Sequence, residues 1–145
     1  MPAAPLPAPG PPLLVVAAAI RDPSGRWLLQ QRRPGKHHAG LWEFPGGKVE
    51  QGEAPRAALC REVAEELGLT LDPAALRPLG FAEDAGESAG SALVLLLFGA
   101  ESEHCGTAAG REGQSWGWFA TAELAALALA PLDRALIAVL PDERR

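Results

Sequence analysis

Three glutamates, Glu62, Glu65 and Glu66, stand at positions i, i+3 and i+4 of a run rich in helix formers. At helical spacing they fall within about a 100° arc of one face. Like charges placed so close repel one another. A hard divalent cation relieves that repulsion, because magnesium and manganese prefer carboxylate and carbonyl oxygens. Taken alone, the trio is better explained as a solvated acidic face with Arg56 and Arg61 as ion-pair partners. The preceding loop changes the balance. Gly46 and Gly47 permit close backbone approach and unusual dihedrals. Their carbonyl and amide groups could therefore face a metal or a phosphate. Glu53 is expected to open the helix, where a carboxylate also complements the helix dipole.

The spacing of the whole segment is more specific than its parts. Gly47 is followed by five residues, Glu53, seven residues, and then Arg61-Glu62-Val63-Ala64-Glu65-Glu66-Leu67-Gly68-Leu69. This resembles the signature of the Nudix hydrolase family, GX5EX7REUXEEXGU with U aliphatic, at every fixed position. The resemblance implies an α/β Nudix fold, a mixed β-sheet sandwiched between helices (α/β/α). It implies that Glu62, Glu65 and Glu66, helped by the carbonyl of Gly46, bind Mg2+, with Mn2+ able to substitute. It implies that Arg61 orients these carboxylates and that Glu53 fixes the loop–helix junction. The implied reaction is attack of activated water on a phosphoric anhydride.

Flanking residues narrow the expectation. Trp42-Glu43-Phe44-Pro45-Gly46-Gly47-Lys48 is similar to the entry segment of the MutT branch. Glu43, Phe44, Pro45 and Gly46 are accordingly expected at the substrate, together with Arg32 after the second strand and His37 in the loop beyond. Arg111-Glu112-Gly113-Gln114, followed by Trp118, resembles the same branch and makes Glu112 a candidate general base, or else a solvated loop charge. Asp133, in Leu129-Ala130-Pro131-Leu132-Asp133, stands where the branch carries a base-reading asparagine. An ionised Asp only accepts hydrogen bonds, so it suits the donor edges of guanine, 8-oxoguanine or cytosine. The other reading of Asp133 is a helix N-cap. Trp116 and Trp118 are expected in the sheet and core. The loop from Asp84 to Ser91 lacks the aromatic and arginine that some MutT enzymes place near the base.

The first expectation is thus hydrolysis of 8-oxo-dGTP, and of dGTP, to the monophosphate and pyrophosphate. The second is a CTP/dCTP-type pyrimidine nucleotide pyrophosphohydrolase. A non-catalytic nucleotide-binding module is a remote third, since such a module could lose the carboxylates without penalty.

These residues need elements to hold them. Leu13 to Ile20 reads as a buried strand, Asp22 to Gly25 as a turn, and Trp27 to Gln31 as the second strand of a hairpin. Leu41 to Val49 must turn sharply. Ala54 to Leu67 reads as a helix ended by Gly68. Arg77 to Glu83, Ala92 to Gly99 and Trp116 to Phe119 read as strands, Thr121 as the cap of a brief helix, and Asp133 to Leu140 as the last helix. Residues 1–12 read as a loose Pro/Ala-rich tail and 13–145 as one domain.

Composition excludes other classes. The net charge of −5 advertises no surface for a nucleic-acid polymer. Cys60 and Cys105 make neither a zinc set nor a disulfide framework, and free thiols fit a cytoplasmic protein. The Leu13–Ile20 run is too short to span a membrane and lacks the basic flank of a signal peptide. The expected partner is a small nucleoside triphosphate, and the expected state is a monomer.

Overall fold

The structure is a computed structural model that describes residues 10–85 and 91–142. Most of the tail read in residues 1–12, and most of the loop between Asp84 and Ser91, lie outside the described residues. The strands are β1 (Leu13–Arg21), β2 (Trp27–Gln31), β3 (Trp42–Glu43), β4 (Gly46–Lys48), β5 (Arg77–Asp84), β6 (Leu93–Glu101) and β7 (Trp116–Phe119). The helices are α1 (Pro55–Leu67), α2 (Thr121–Leu124) and α3 (Pro131–Leu136).

The long apolar run forms the centre of a mixed sheet. β1 pairs in parallel with β6 along its whole length, from Leu13↔Leu93 to Arg21↔Glu101, and β5 flanks β6 antiparallel. A strand buried on both faces needs no polar alternation, and two cores result. Val16, Ala18 and Ile20 face Leu59, Val63 and Leu67 of α1. Ala17 and Ala19 face the layer that contains Leu124 of α2 and Leu136 of α3. The sandwich is therefore α/β/α, as expected. Burying each large α1 side chain contributes roughly 1.5–3 kcal/mol.

The β1–β2 hairpin closes through Asp22, whose Oδ1 accepts from the amides of Ser24 (2.9 Å) and Arg26 (2.8 Å), while Gly25 takes a φ of 83°. The two strands then part. Their register holds only Arg21↔Trp27, after which β4 pairs with β1 while β3 and β7 pair with β2. Phe44 and Pro45 cross the gap between β3 and β4. A cleft of about 1010 Å³ opens there.

Four local expectations are corrected. Leu41 to Val49 holds two short strands, β3 and β4, as well as a turn. Helix α1 starts at Pro55 with Ala54 as N-cap, so Glu53 precedes the cap and is not in the first turn. Thr121 is the first residue of α2 and not its cap; its hydroxyl instead accepts from Trp27 Nε1 at 2.9 Å. The last helix begins at Pro131 and tightens into a 3-10 turn at Ile137–Val139.

Candidate active site

Strand β4 lies between β1 and helix α1, and one glycine allows each approach. A Cβ on Gly46 would collide with the Val16 carbonyl and Ala17 Cα of β1. A Cβ on Gly47 would occupy the position of the Glu62 carboxylate. The short strand therefore serves as a cradle for that carboxylate. Pro45 is buried, and its carbonyl accepts from Ala18 N at 2.8 Å, so it shapes the crossing and does not face the cleft.

Arg61 ties the loop to the helix. Its Nε and Nη2 donate to the two oxygens of Glu53 at 2.8 and 2.9 Å, and Nη2 also reaches the Lys48 carbonyl at 3.1 Å. Its Nη1 donates to Glu62 at 2.9 Å and, more weakly, to Glu65 at 3.5 Å. The hydrogen bonds from Arg61, then one from the Glu50 amide, hold Glu53 down at a pKa of about 2. The same carboxylates raise the pKa of the guanidinium. Arg61 and Glu53 thus tie the loop before α1 to Glu62 without lining the cleft themselves.

The glutamate trio divides. Glu62 and Glu66 line the cleft with Glu112, whereas Glu65 is largely exposed and outside it. Glu66 is only 7% exposed. Its Oε2 accepts from Gln30 Nε2, and its Oε1 is buried with no hydrogen-bond partner among the described residues. Burial foremost, then the charges of Glu43, Glu62 and Glu112, push Glu66 up to about 8 against the opposing bond from Gln30. Among the described residues, no three His, Cys, Asp or Glu side chains gather around one point as a finished metal site. What exists is an orphaned carboxylate oxygen next to a second carboxylate seated on a glycine. All the donors are oxygens, which suits a hard divalent cation. The residues fit such an ion.

The opposite wall comes from the β2–β3 loop and α3. Arg32 Nε pairs with Glu43 at 2.8 Å, and its Nη1 donates to the His37 carbonyl at 3.0 Å. Burial raises Glu43, and Arg32 opposes it. The His37 and His38 rings stand 3.8 Å apart at the cleft mouth. Phe44 lines the wall, but at 2% exposure its ring belongs to the α3-side core and offers no open stacking face. Its backbone amide donates to Asp133 Oδ2 at 2.9 Å. Asp133 is not the N-cap, which is Ala130; it is the third residue of α3, 6% exposed. Burial is the main cause that lifts its pKa to about 7, with the Glu43 charge adding and the Phe44 bond opposing. Strand β3 secures this helix: Trp42 N donates to the Ala128 carbonyl at 2.7 Å, and Ala130 N donates to the Trp42 carbonyl at 2.9 Å. Trp116 and Trp118 pack against the α1-side core, as expected.

Two site residues escape a reading by charge. Gln30 and Gln114 are buried between Glu66 and the loop of Glu112. The available signal was a glutamine at a core-facing position of β2, two residues after Leu28.

An α/β/α fold that aims carboxylates from a helix into a cleft floored by glycines defines a class of phosphate-handling enzyme. Residues 11–140 match the NUDIX domain family. The chain is 36% identical over 129 residues to an 8-oxo-dGTP diphosphatase of Haemophilus influenzae, with 89% of this chain and 91% of that protein covered. It is 53% identical to a CTP pyrophosphohydrolase of Escherichia coli over 57 residues, which span 39% of this chain and 42% of that protein. The solution structure of the E. coli ORF135 protein superposes with a TM-score of 0.75 at 34% identity, covering 89% of this chain and 88% of that one. The chain belongs to the Nudix family, in its MutT-like branch. The family and these relatives support a hydrolase of pyrophosphate bonds. Among the described residues, no helix is long and apolar enough to cross a membrane.

Proposed function

We propose that the chain is a divalent-cation-dependent nucleoside triphosphate pyrophosphohydrolase of MutT type. It would convert 8-oxo-dGTP, and dGTP, to the monophosphate and pyrophosphate. The observation that carries this reading is the buried, partnerless Oε1 of Glu66 beside Glu62, at the foot of a cleft walled by Phe44 and Asp133.

Glu62, Glu66 and the Gly46 carbonyl would hold the cation from within the cleft, with Glu65 as the ligand nearest solvent. When bound, magnesium or manganese supplies neutralisation of phosphate charge and acidification of a nearby water. Arg61 keeps Glu62 and Glu65 aimed, and Glu53 keeps Arg61 in place. Glu112, at the cleft edge, takes the proton from the attacking water as general base. Arg32 and His37 sit at the mouth, where they meet phosphate or base. Glu43 fixes Arg32. Asp133 and Phe44 bound the base pocket. The same reading has residues 13–145 act as one domain, monomeric and cytoplasmic.

Asp133 favours a second reading. Once ionised it accepts from the amino group of cytosine as well as from guanine donors, and one relative is a CTP pyrophosphohydrolase. Pyrophosphate release from 8-oxo-dGTP, dGTP, CTP and dCTP, compared in magnesium, decides between the two. The first reading expects the highest kcat/KM with 8-oxo-dGTP. A preference of tenfold or more for cytidine nucleotides replaces it with the second. Absence of turnover with every nucleotide leaves a binding module.

A further inference from the structure

Two uncharged side chains lie buried among the carboxylates without a part in the proposed chemistry. Gln30 is 3% exposed and Gln114 8%. Gln30 shares its strand face with Leu28, which belongs to the α1-side core. An apolar residue is the default at such a position, because a buried amide is costly unless its groups are bonded. Here they are bonded, and to the site. Gln30 Nε2 donates to Glu66 Oε2, and Gln30 Oε1 accepts from Gln114 Nε2 at 3.0 Å. Gln114 Nε2 also donates to the Glu66 backbone carbonyl at 2.9 Å, and Gln114 Oε1 accepts from the Glu112 amide at 3.0 Å. Topology brings the pair together: β7 runs antiparallel to β2 with Trp116 opposite Gln30, which leaves Gln114 beside it. The contrast with Glu66 Oε1, buried and without a hydrogen-bond partner among the described residues, is informative. One oxygen of that carboxylate is held while the other is left for a ligand.

We propose that Gln30 and Gln114 are positioning residues, a relay of two amides that directs the free oxygen of Glu66 into the cleft and locks the Glu112 loop to the same helix. Gln30 acts on Glu66 directly. Gln114 acts on the Glu66 side chain through Gln30, on the Glu66 backbone directly, and on Glu112 through its amide. This inference rests on the reading of Glu66 as a cation ligand.

The test uses Mn2+ alone, titrated into the full-length, chelator-treated protein, with free Mn2+ counted by electron paramagnetic resonance. Gln30→Met keeps length and volume but removes both polar groups. It is expected to raise the Mn2+ Kd about tenfold or more, the usual effect of losing a partner that orients a ligand. Gln114→Met should raise it less, and the double variant no further than Gln30→Met alone, since Gln114 reaches the Glu66 side chain, the proposed ligand, only through Gln30. In nucleotide turnover, Gln114→Met should lower kcat with little change in KM. Thermal unfolding of the metal-free variants checks that they fold. Should Gln30→Met fail to fold, Gln30→Asn, which withdraws the amide by one methylene, carries the same expectation. A Kd within twofold of the parent for the folded variant, or fully additive effects, overturns the relay. Glu66→Gln separates the two levels. If Glu66→Gln weakens Mn2+ binding and Gln30→Met does not, only the relay falls. If the parent binds no Mn2+, or Glu66→Gln binds it equally well, the cation reading falls and the relay with it.

Discussion

Glu66 is held between Gln30 and the charges of Glu43, Glu62 and Glu112, and this surrounding sets its titration. With a pKa near 8 in the absence of metal, it keeps its proton at neutral pH, so a cation must displace that proton to bind. Apparent Mn2+ affinity should therefore tighten roughly tenfold per pH unit up to about pH 8 and then level off. Titrations at three pH values across that range check this, and a flat profile would remove Glu66 from the ligand set. Asp133 makes a stability prediction. Its folded value of about 7 lies above the ordinary 3.8, so the fold retains a proton that the unfolded chain has lost. Its contribution is present in full below about 3.8 and is lost as pH rises through 7. Asp133→Asn keeps an acceptor for the Phe44 amide and carries no charge. Its melting temperature should exceed that of the parent by about 3 °C or more at pH 8, and the advantage should vanish near pH 4. Equal melting curves at both pH values would contradict the burial of an ionisable group. The spacing made Glu66 a candidate, but nothing local distinguished it from Glu65. Burial did that, and burial depends on β2 and β7.

At the scale of elements, the junction of β4 and α1 carries the site. Its two glycines face different obstacles. Gly46 meets the backbone of β1, which cannot yield, whereas Gly47 meets the tip of the Glu62 side chain, which can. Gly46→Ala should therefore cost at least about 3 kcal/mol of stability and Gly47→Ala about 1 kcal/mol. Activity should rank otherwise, since Gly47→Ala pushes a proposed ligand aside and should lose most turnover while remaining folded. Denaturant unfolding beside turnover measures both, and a stable, active Gly46→Ala would show that β4 does not pack as described. Helix α1 was legible from its run of helix formers and from its C-terminal end, which Gly68 marks locally with its φ of 70°. Strands β3 and β4 were not. They span two and three residues, and only pairing with β2 and β1 makes them strands.

For the whole molecule, the central fact is the parting of β1 and β2. A continued hairpin would have closed the sheet where the cleft now stands. Strands on both sides of the cleft belong to one sheet, seven-stranded among the described residues, and ligand binding should stabilise the fold that holds them. Mn2+ at about 100 times its Kd should raise the unfolding free energy by about 2.7 kcal/mol. A chelator should reverse the gain, and Glu66→Gln should show little of it. Calorimetry with and without the ion provides the check, and an unchanged transition would mean that the folded protein has no site for the cation.

By itself the sequence determined the spacing of Glu53, Arg61, Glu62, Glu65 and Glu66, the helix that carries the last four and the glycines before it. These are local properties, readable because a helix repeats every 3.6 residues and a glycine declares close approach. Only the tertiary structure decided that Glu66 and not Glu65 turns inward, that Asp133 is buried against the Phe44 amide, and that Gln30 and Gln114 join Glu66 to Glu112. Each depends on residues far apart in the chain that meet only when β2, β7 and α3 assemble around the open seam of the sheet.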